Sequence, residues 1–573
     1  MKANSHDKRQ PHPLFIANLC GSQQKMGAQH GAMIKEVGGW EQVMSFYPRM
    51  PEILLGGTSA KMRAAVRPLL EAGAIKLERQ RGAELRGRTR AFLAGVGVNP
   101  RVSRHYQNFD VFQNIVNTLG RYRLGPFKQR FVEQAPAACS TLVSWGAASD
   151  NGSLRHARNF DFPGIGIWDT MPAVVFCSPS GGLRYGFVGM RGADVAGVSA
   201  FNEAGIVVTT HTRFHTDISW AGAGVVDLVH QIIAEARTLA DAERLIRAQP
   251  VASSWGICVS SAEERRAVSF EVCGHLVRPV CPGDKEDFLA VTNRYVHPDM
   301  RSGEVTISPA FVRNSNGRYG ALRRRGEEGG LDLAAMQSVL GSNEDVEVPG
   351  SERAAGGVTA QLLSVHSVVF EPENQCMYVS VGPAPTGKGP WAKVEWSWSD
   401  TPAYTMEIPS AESLTGHPAE AWGRYDTGAP SRALAAYVNA SAIMGRAGDP
   451  NDAADCLSEA ARLDPDDTTY QLMLGGVSMQ RGQWRQSLEH FEAGLESERS
   501  TFYRGQMLLW GSRAAAVAGD GLCARRMRAE LAGLSHPQLQ THKRAALDEE
   551  RAPLGAKRLR KVRLSYHMAD LAL

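Results

Sequence analysis

The chain has 573 residues, of which 43% are hydrophobic and 21% charged, and its formal net charge is +4. At roughly 100 to 200 residues per domain, this length predicts two or three domains with sizeable cores. No apolar run approaches the roughly 18 residues of a membrane-spanning helix. The nine cysteines are scattered, without a Cys-x-x-Cys pair, which argues against a disulfide framework or a structural zinc site.

The amino-terminal region is predicted to be helical. Residues 1–13 are charged and polar and lack a hydrophobic signal core, so we expect a cytoplasmic protein. From Ser59 to Val96, apolar residues recur at helical spacing between arginine-rich faces, until a glycine-rich turn at residues 95–100 ends the pattern. We assign residues 1–138 to this helical segment.

A hairpin follows. Two apolar runs, 141–145 and 154–162, flank an Asp-Asn-Gly turn whose Asn and Gly tolerate positive φ. Folding about this turn returns Asp161 to the neighbourhood of Cys139. A thiol is nucleophilic only as a thiolate, and a guanidinium such as that of Arg158 lowers a thiol pKa. On these residues alone, an inert buried cysteine beside a surface ion pair is favoured over a catalytic one.

Beyond residue 162 the apolar pattern has a period of two, which indicates strands. Grouped strands with two helical interruptions suit two packed sheets covered by helices, in an α+β fold. The strand-like runs are Ala173–Cys177, Gly205–Thr210, Ile257–Ser260, Ala267–Val272, Phe288–Val291, Ser367–Phe370 and Met377–Val381, and the helical runs are Val225–Gln249 and Asp332–Leu340. We assign the core domain to residues 139–385.

The composition changes after residue 385. Residues 386–430 are rich in Pro, Gly, Ser and Trp and are interpreted as a linker that wraps the core, with its Trp residues packed against it. Within residues 431–535, Ala454–Pro465 aligns with Ser487–Glu498 at an offset of 33, close to the 34-residue period of tetratricopeptide repeats. An all-α domain of such repeats, with a protein as partner, is predicted, and a plain helical bundle is the alternative.

The carboxyl terminus is basic. Residues 521–573 contain eleven Lys or Arg against five Asp or Glu. Since Tyr566 is the only aromatic residue close to the densest basic run, we interpret residues 536–573 as a solvated, partly helical tail and do not expect nucleic acid as a partner.

The hairpin resembles the start of the mature chain in cysteine N-terminal-nucleophile (Ntn) hydrolases, specifically the penicillin acyltransferase (peptidase C45) group with its choloylglycine hydrolase and acid ceramidase relatives. In these proteins a Cys begins a strand, and an Arg-Asn-x-Asp element follows the turn. The resemblance covers roughly residues 14–385. Its matching segments, in chain order, are the glycine-punctuated Cys20–Gly31, Cys139, Arg158–Asp161, Phe201–Gly205, Val291–Arg294 and Ser315–Tyr319.

The resemblance implies a four-layer αββα sandwich and a thiol that attacks an acyl carbonyl after autocatalytic cleavage of the Ala138–Cys139 bond. The freed α-amino group of Cys139 then acts as its own base. The penicillin acyltransferases have Gly before the Cys, whereas this chain has Ala138. A small-molecule amide or an acyl-CoA is the implied substrate, and no cofactor or metal is expected.

The resemblance also implies roles for five further residues. Asp161 orients the α-ammonium group, and Arg158 holds the thiolate and polar groups of the substrate. The Asn293 side chain and the backbone N–H of Asn202 donate to the oxyanion, and Arg318 completes the charge network. Without the resemblance, both asparagines are better interpreted as turn-capping residues.

Other chemistries have less support. The chain has no phosphate-binding Gly-x-x-x-x-Gly-Lys-Ser/Thr loop, no His-Glu-x-x-His and no Gly-x-Ser-x-Gly nucleophile turn. A papain-like pairing of Cys139 with His366 and an Asn is the competing catalytic arrangement, although a histidine in an apolar strand is more often structural. The competing function is a catalytically silent scaffold whose repeats bind a protein.

Overall fold

The computed structural model describes residues 11–46, 60–102, 104, 107, 109–121, 138–194, 196–306, 308–410, 413–415, 428–445 and 448–573. Residues 1–10, and residues 416–427 of the expected linker, therefore lie outside the described residues. The chain divides into two compact units. The first comprises Met1–Ile307, Tyr319–Ser342 and Leu363–Ala419, and the second comprises Ser308–Arg318, Asn343–Leu362 and Glu420–Leu573.

The described part of the first unit contains sixteen strands. In chain order they are β1 (Leu14–Gly21), β2 (Ala138–Gly146), β3 (Gly152–Asp161), β4 (Pro172–Pro179), β5 (Tyr185–Met190), β6 (Ser199–Asn202), β7 (Ile206–Thr212), β8 (Trp255–Ser261), β9 (Arg266–Val272), β10 (Val277–Val280), β11 (Phe288–Val291), β12 (Ser364–Glu371), β13 (Cys376–Ser380), β14 (Trp391–Glu395), β15 (Ala403–Glu407) and β16 (Leu414–Thr415).

Helices up to residue 340 come next. They are α1 (Gln23–Val37), α2 (Trp40–Phe46), α3 (Ala60–Gln80), α4 (Ala83–Val96), α5 (Phe109–Arg121), α6 (Val225–Glu235), α7 (Leu239–Arg247), α8 (Pro298–Arg301), α9 (Pro309–Glu328) and α10 (Leu333–Leu340). The expected helix over 59–96 is thus present as α3 and α4. The expected helix over 225–249 is two helices, because Thr238 forms a capping box with Asp241 and begins α7.

The strands form two large sheets. The nine-stranded sheet has the order β10-β9-β8-β7-β6-β5-β4-β1-β15, and the seven-stranded sheet has the order β11-β2-β3-β12-β13-β14-β16. Neighbouring strands are antiparallel except β1 and β4, which are parallel. The two sheets pack face to face through alternate side chains, such as Phe176 and Phe201 of the first sheet with Val368 and Phe370 of the second.

Helices cover both outer faces, which completes a helix–sheet–sheet–helix sandwich. Side chains from α1, α4, α6 and α7 pack on the nine-stranded sheet. Residues of α9 and α10, including Leu322 and Met336, pack on the seven-stranded sheet. Residues i and i+1 of a strand face opposite layers, as Val368 and Val369 do. The expected mixed fold with stacked sheets is confirmed.

The expected linker contributes to both sheets. β14 and β16 extend the seven-stranded sheet, and β15 pairs with β1 at the edge of the nine-stranded sheet. Trp391 and Trp396 are buried, as the composition predicts. Pro402 and Pro409 lie between these short strands, where a missing backbone donor does not interrupt a ladder.

The second unit is mainly helical. Its helices beyond residue 428 are α11 (Ala429–Gly445), α12 (Pro450–Leu463), α13 (Thr468–Arg481), α14 (Trp484–Ser497), α15 (Thr501–Ala518), α16 (Gly521–Gly533), α17 (Gln540–Arg551) and α18 (Ala556–Leu559), followed by the hairpin β17 (Arg563–Ser565) and β18 (Asp570–Ala572). α12 and α14 begin 34 residues apart, and the assignment of these pairs to tetratricopeptide repeats remains a prediction.

The basic terminus differs from the expected solvated tail. Its last residues form the β17–β18 hairpin, in which Tyr566, Met568 and Leu571 are buried. Gly476 of α13 lies so close to Leu571 that a Cβ there would approach the leucine to 2.7 Å. The basic residues nearby stay exposed. Among the described residues, no helix is long and apolar enough to cross a membrane.

Candidate active site

The β2–β3 hairpin places Cys139. Gly152 ends the turn with φ +77, a value that L side chains rarely adopt, and so explains the glycine there. The register then sets Cys139 opposite Phe160 and Ala138 opposite Asp161. Cys139, Arg158 and Phe160 therefore point to the same face of the sheet, between the two sheets, since directly opposed residues share a face.

The thiol of Cys139 is paired with a guanidinium. Arg158 Nη2 donates to Cys139 Sγ over 3.2 Å, and Nη1 lies 3.5 Å from His211 Nε2 of β7. Arg158 is fully buried and Cys139 is 1% exposed, so the surface ion pair considered above is not formed. Burial lowers the pKa of Arg158, whereas the neighbouring Cys139 and Asp161 raise it. A cation held this way stabilises a thiolate.

Asp161 is held at the end of β3. It is fully buried, and its Oδ1 accepts a hydrogen bond of 2.5 Å from Ser364 Oγ of β12. Because Asp161 pairs with Ala138 in the ladder, its carboxylate belongs to the end of the hairpin where the Ala138–Cys139 bond lies. It is a negative charge near Arg158 and raises the pKa of that guanidinium.

Asn293 reaches the backbone of Cys139. Its Oδ1 accepts from Cys139 N over 2.8 Å, and its Nδ2 donates to Thr212 O over 2.9 Å. The sequence prediction had its Nδ2 facing an oxyanion. In this structure, the amide instead contacts the nitrogen that cleavage at Ala138 would convert into an α-amino group. Asn293 therefore contacts Cys139 through its Oδ1, and its role as a donor to the oxyanion stays a prediction from the resemblance.

A buried ion pair holds the segment that carries Asn293. Arg213 Nη1 donates to Glu271 Oε1 over 2.6 Å, and Arg213 Nη2 donates to Thr292 O over 3.2 Å. Glu271 also accepts from the backbone N–H groups of Val296 and His297. With its charge neutralised and both terminal nitrogens of Arg213 bonded, this pair fixes the loop after β11.

Asn202 lies at the other end of β7. Its Nδ2 donates to the carbonyls of Ile233 and Ala236 at the end of α6, and its Oδ1 accepts from the N–H groups of Ala204 and Ile206. Ile206 begins β7 and Thr212 ends it, so Asn202 is roughly 20 Å along the strand from the Cys139 end at about 3.3 Å per residue. The structure does not bring Asn202 to Cys139, and its side chain is a turn-capping one.

Arg318 belongs to the second unit. It is fully buried, and its Nε donates to Asn314 Oδ1 over 3.0 Å. Asn314 in turn donates to Gln361 Oε1 over 2.8 Å. A role for Arg318 in the charge network of Cys139 remains a prediction from the resemblance.

His366 does not pair with the thiol. It lies opposite Phe160 on the side of β3 away from Cys139, so two strand spacings, about 10 Å, separate the two backbones. Its Nε2 lies 3.3 Å from Ser199 Oγ. Burial and the charge of Arg158 lower the pKa of His366 to about 3, so it is neutral near pH 7. These contacts favour the structural interpretation over a papain-like pair.

An apolar cavity of about 120 Å³ adjoins the thiol site. Phe160, opposite Cys139 in the ladder, forms one wall, and Thr212, whose carbonyl accepts from Asn293, forms another. The other walls include Phe162, Trp168 and Trp255. A cavity with such walls suits an apolar group placed next to the reactive sulfur.

Sequence reasoning missed the residues that β7 and β8 bring to this site. His211 and Thr212 follow the Asn202 turn by nine and ten residues. Cys258 lies near enough to Arg158 to raise its pKa, and burial raises the pKa of the Cys258 thiol to about 12. The only sequence signal of His211 and Thr212 is their place at the far end of a strand that begins at a recognisable turn, and Cys258, in the middle of β8, has none.

Comparison with known proteins adds little to this geometry. No protein-family profile and no curated protein matches the chain. Among solved structures, an N-acylethanolamine-hydrolyzing acid amidase ortholog from Caenorhabditis elegans is similar at a TM-score of 0.29 and 16% identity, over 41% of this chain and 93% of that one. A TM-score this low carries no argument about activity, which must be argued from the chain's own contacts.

Proposed function

We propose that this protein is a cysteine Ntn hydrolase or acyltransferase that cleaves its own Ala138–Cys139 bond and then forms an acyl-thioester on Cys139. The observation that carries the proposal is the buried hydrogen bond of 3.2 Å from Arg158 to Cys139 Sγ. A guanidinium this close to the sulfur favours the thiolate form of Cys139, which is the nucleophilic one.

Cleavage begins with attack of the Cys139 sulfur on the carbonyl carbon of Ala138. The C–N bond breaks and the nitrogen takes a proton, which leaves a thioester to Ala138 and a free α-amino group. Water then hydrolyses this thioester, giving an Ala138 carboxylate and the thiol of Cys139. The hydrogen bond from Cys139 N to Asn293 Oδ1 supports this step, because it orients the peptide nitrogen that becomes the leaving amine.

Acyl transfer uses the same atoms. The α-amino group takes the thiol proton, the thiolate attacks the acyl carbonyl, and the α-ammonium returns the proton to the leaving amine. Water or a second amine then attacks the thioester and regenerates the thiol. Arg158 stabilises the thiolate, Asp161 orients the α-ammonium group, and Arg318 contributes to the charge network as the resemblance implies. Asn202 has no part in this machinery.

The proposed substrate is a small-molecule amide, or an acyl-CoA of the same thioester chemistry. Its acyl group is apolar, because the surface of the cavity next to Phe160 and Thr212 is mainly apolar and includes five aromatic side chains. Binding the acyl group there positions its carbonyl at Cys139 Sγ and excludes water from the attack.

Intact mass and denaturing electrophoresis of the purified protein test the proposal. Cleavage gives fragments of about 15 and about 47 kDa, the shares of the 62.2 kDa chain on either side of the Ala138–Cys139 bond. Cys139→Ala remains a single chain without amidase activity, while Cys376→Ala, a matched change at a buried thiol of β13 away from Arg158, is cleaved normally. Cleavage or amidase activity in Cys139→Ala contradicts the proposal.

A further inference from the structure

The apolar cavity that adjoins the thiol site contains one carboxylate. Asp110, in the first turn of α5, lines this cavity together with five aromatic side chains. Among the described lining residues there is no Lys, Arg or His, so the charge of the described wall is negative. The cavity volume of about 120 Å³ is below the range of about 300 to 1,000 Å³ for drug-sized ligands. It therefore accommodates a short group and not a long chain.

Asp110 is held in place without a cationic partner. Its Oδ2 accepts a hydrogen bond of 2.9 Å from Trp255 Nε1, and no Lys, Arg or His of the described residues forms an ion pair with it. Burial raises the pKa of Asp110 to about 6, and the bond from Trp255 acts in the opposite direction, so the carboxyl group is mostly ionised near pH 7.5. A carboxylate in apolar surroundings is unfavourable without a positive partner, and a cationic ligand supplies one.

The aromatic walls of the cavity also favour a cation. Phe162 packs edge-on against Phe109 and Trp168, with ring centres 5.9 Å apart in each pair. The same ring stacks on Phe160 at 5.4 Å. The face of an aromatic ring attracts an ammonium group that lies within about 6 Å of its centre, and several rings together bind such groups in proteins. Rings and carboxylate therefore favour the same kind of ligand.

The carboxylate lies close to the thiol site. Trp255, which donates to Asp110, is opposite Thr212 in the β7–β8 ladder. The Thr212 carbonyl accepts from Asn293, whose Oδ1 contacts the backbone N–H of Cys139. A short ligand bound by Asp110 can therefore extend to the sulfur of Cys139.

We propose that the apolar cavity binds an ammonium group, and that the acyl group of the substrate is a short apolar body that carries a cationic amine. The amine is bound by the carboxylate of Asp110 and by the aromatic rings. Its assignment to a substrate rests on the proposed function, since the carbonyl of the same acyl group then lies at Cys139. Asp110 is thus a binding residue that selects the acyl group.

The binding test uses the full-length protein near pH 7.5 and three probes that share one ring: benzylammonium, benzyl alcohol and benzoate. Titration calorimetry measures their affinities. We expect benzylammonium to bind at least about tenfold more tightly than benzyl alcohol, the effect of adding a charge contact and a cation–ring contact. Benzoate should bind most weakly, because its carboxylate would lie near that of Asp110. Equal affinities for the three probes, or no binding of benzylammonium, overturn the inference.

Asp110→Asn removes the charge and keeps an oxygen that can accept from Trp255. It should reduce benzylammonium affinity about tenfold and leave benzyl alcohol affinity unchanged. The matched control is Asp332→Asn, which removes a carboxylate at the start of α10, outside the cavity, and should change neither affinity. An equal loss of benzylammonium affinity in both variants contradicts the assignment.

Gly189→Val tests the location of the site. Gly189 lines the cavity from β5, and an added Cβ there meets no atom within 4 Å. Valine suits a strand and occupies space that the ligand needs, so affinity for both benzylammonium and benzyl alcohol should fall at least about tenfold. Unchanged benzylammonium affinity in this variant would place the ammonium group elsewhere and contradict the inference.

Substrate selection is measured with two p-nitroanilides, those of 4-(aminomethyl)benzoic acid and 4-methylbenzoic acid. The amine-bearing substrate should have a kcat/KM at least about tenfold higher, and the two values should become similar in Asp110→Asn. An equal kcat/KM for both substrates in the wild-type protein contradicts the assignment of the ammonium group to the acyl group.

The two proposals fail separately. A probe preference in a protein that never cleaves itself or forms a thioester contradicts the proposed function and leaves the ammonium site standing as a binding site. Normal cleavage and thioester formation without any probe preference contradict only the ammonium site.

Discussion

Two asparagines, one near each end of β7, have different structural roles. Just before the strand begins, the Asn202 side chain forms hydrogen bonds with four backbone groups of a turn and a helix end. At its end, Thr212 accepts from Asn293, whose Oδ1 accepts from Cys139 N. A buried Asn that ties a turn to a helix end shapes the chain, whereas one that joins β7 to the Cys139 backbone positions a reactive group.

The largest effect should come from the cation at the Cys139 end. Arg158→Gln removes the donor to the thiolate, so we expect kcat/KM for an amide substrate to fall about 10²- to 10³-fold, the range for loss of one preorganised electrostatic group. Self-cleavage should slow as well. Time-resolved electrophoresis and steady-state kinetics measure the two effects.

Arg155→Gln is the matched control for Arg158. Arg155 lies on the same strand, faces the opposite side and is bound to Glu371 at 2.7 Å. Its loss should lower the free energy of unfolding, because it leaves a buried carboxylate unpaired, and should leave kcat/KM close to the wild-type value. Equal loss of kcat/KM in both variants would mean that Arg158 acts only through stability.

The two asparagines provide the direct contrast. Asn293→Ala should lower kcat/KM about 100-fold and affect stability less. Asn202→Ala should lower the free energy of unfolding by about 3 kcal/mol, because it leaves buried backbone groups unsatisfied, with kcat/KM little changed in the folded fraction. Urea unfolding and kinetics on the same preparations distinguish them, and a catalytic loss confined to Asn202→Ala would reverse the comparison.

The smallest effect is expected at His366, between the two sheets. His366→Gln should leave the pH dependence of kcat/KM unchanged, since the pKa of His366 is lowered to about 3 and the group stays neutral in the working range. Stability behaves differently. A lowered folded pKa means that stability is lost as pH falls from about 6.5 towards 3, while only the unfolded chain takes up the proton. The variant should lose part of this acid sensitivity in pH-dependent unfolding, and a shifted rate profile would instead support a papain-like pair.

Local patterns predicted much of the first unit. The strand periodicity indicated β4, β7, β8, β9 and β11 close to their observed bounds, because each buries alternate side chains against a neighbouring layer. The short edge strand β15 had no such signal, since most of its side chains are exposed and it forms by pairing with β1, which is distant in sequence. The hairpin at the basic carboxyl terminus was not predicted, because a few apolar residues, and not the abundant lysines and arginines, determine its packing.

In the candidate site, too, some residues could be grouped from the sequence and others could not. Cys139, Arg158 and Asp161 could be grouped from one hairpin, because the turn fixes their register. Asn293 required the resemblance, and its orientation followed only from the contact with Thr212. Asn202 was placed incorrectly beside the thiol because a turn motif says where a strand begins and not which end of it lies near another strand.

The most direct test of the central claim is peptide mapping by mass spectrometry after brief exposure of the purified protein to p-nitrophenyl acetate. The account predicts an acetyl group on the peptide that begins at Cys139, carried by its sulfur or passed from the sulfur to its free α-amino group, and absent from Cys139→Ala. A peptide that runs uncut through Ala138–Cys139 and carries no acetyl group on Cys139 would contradict it.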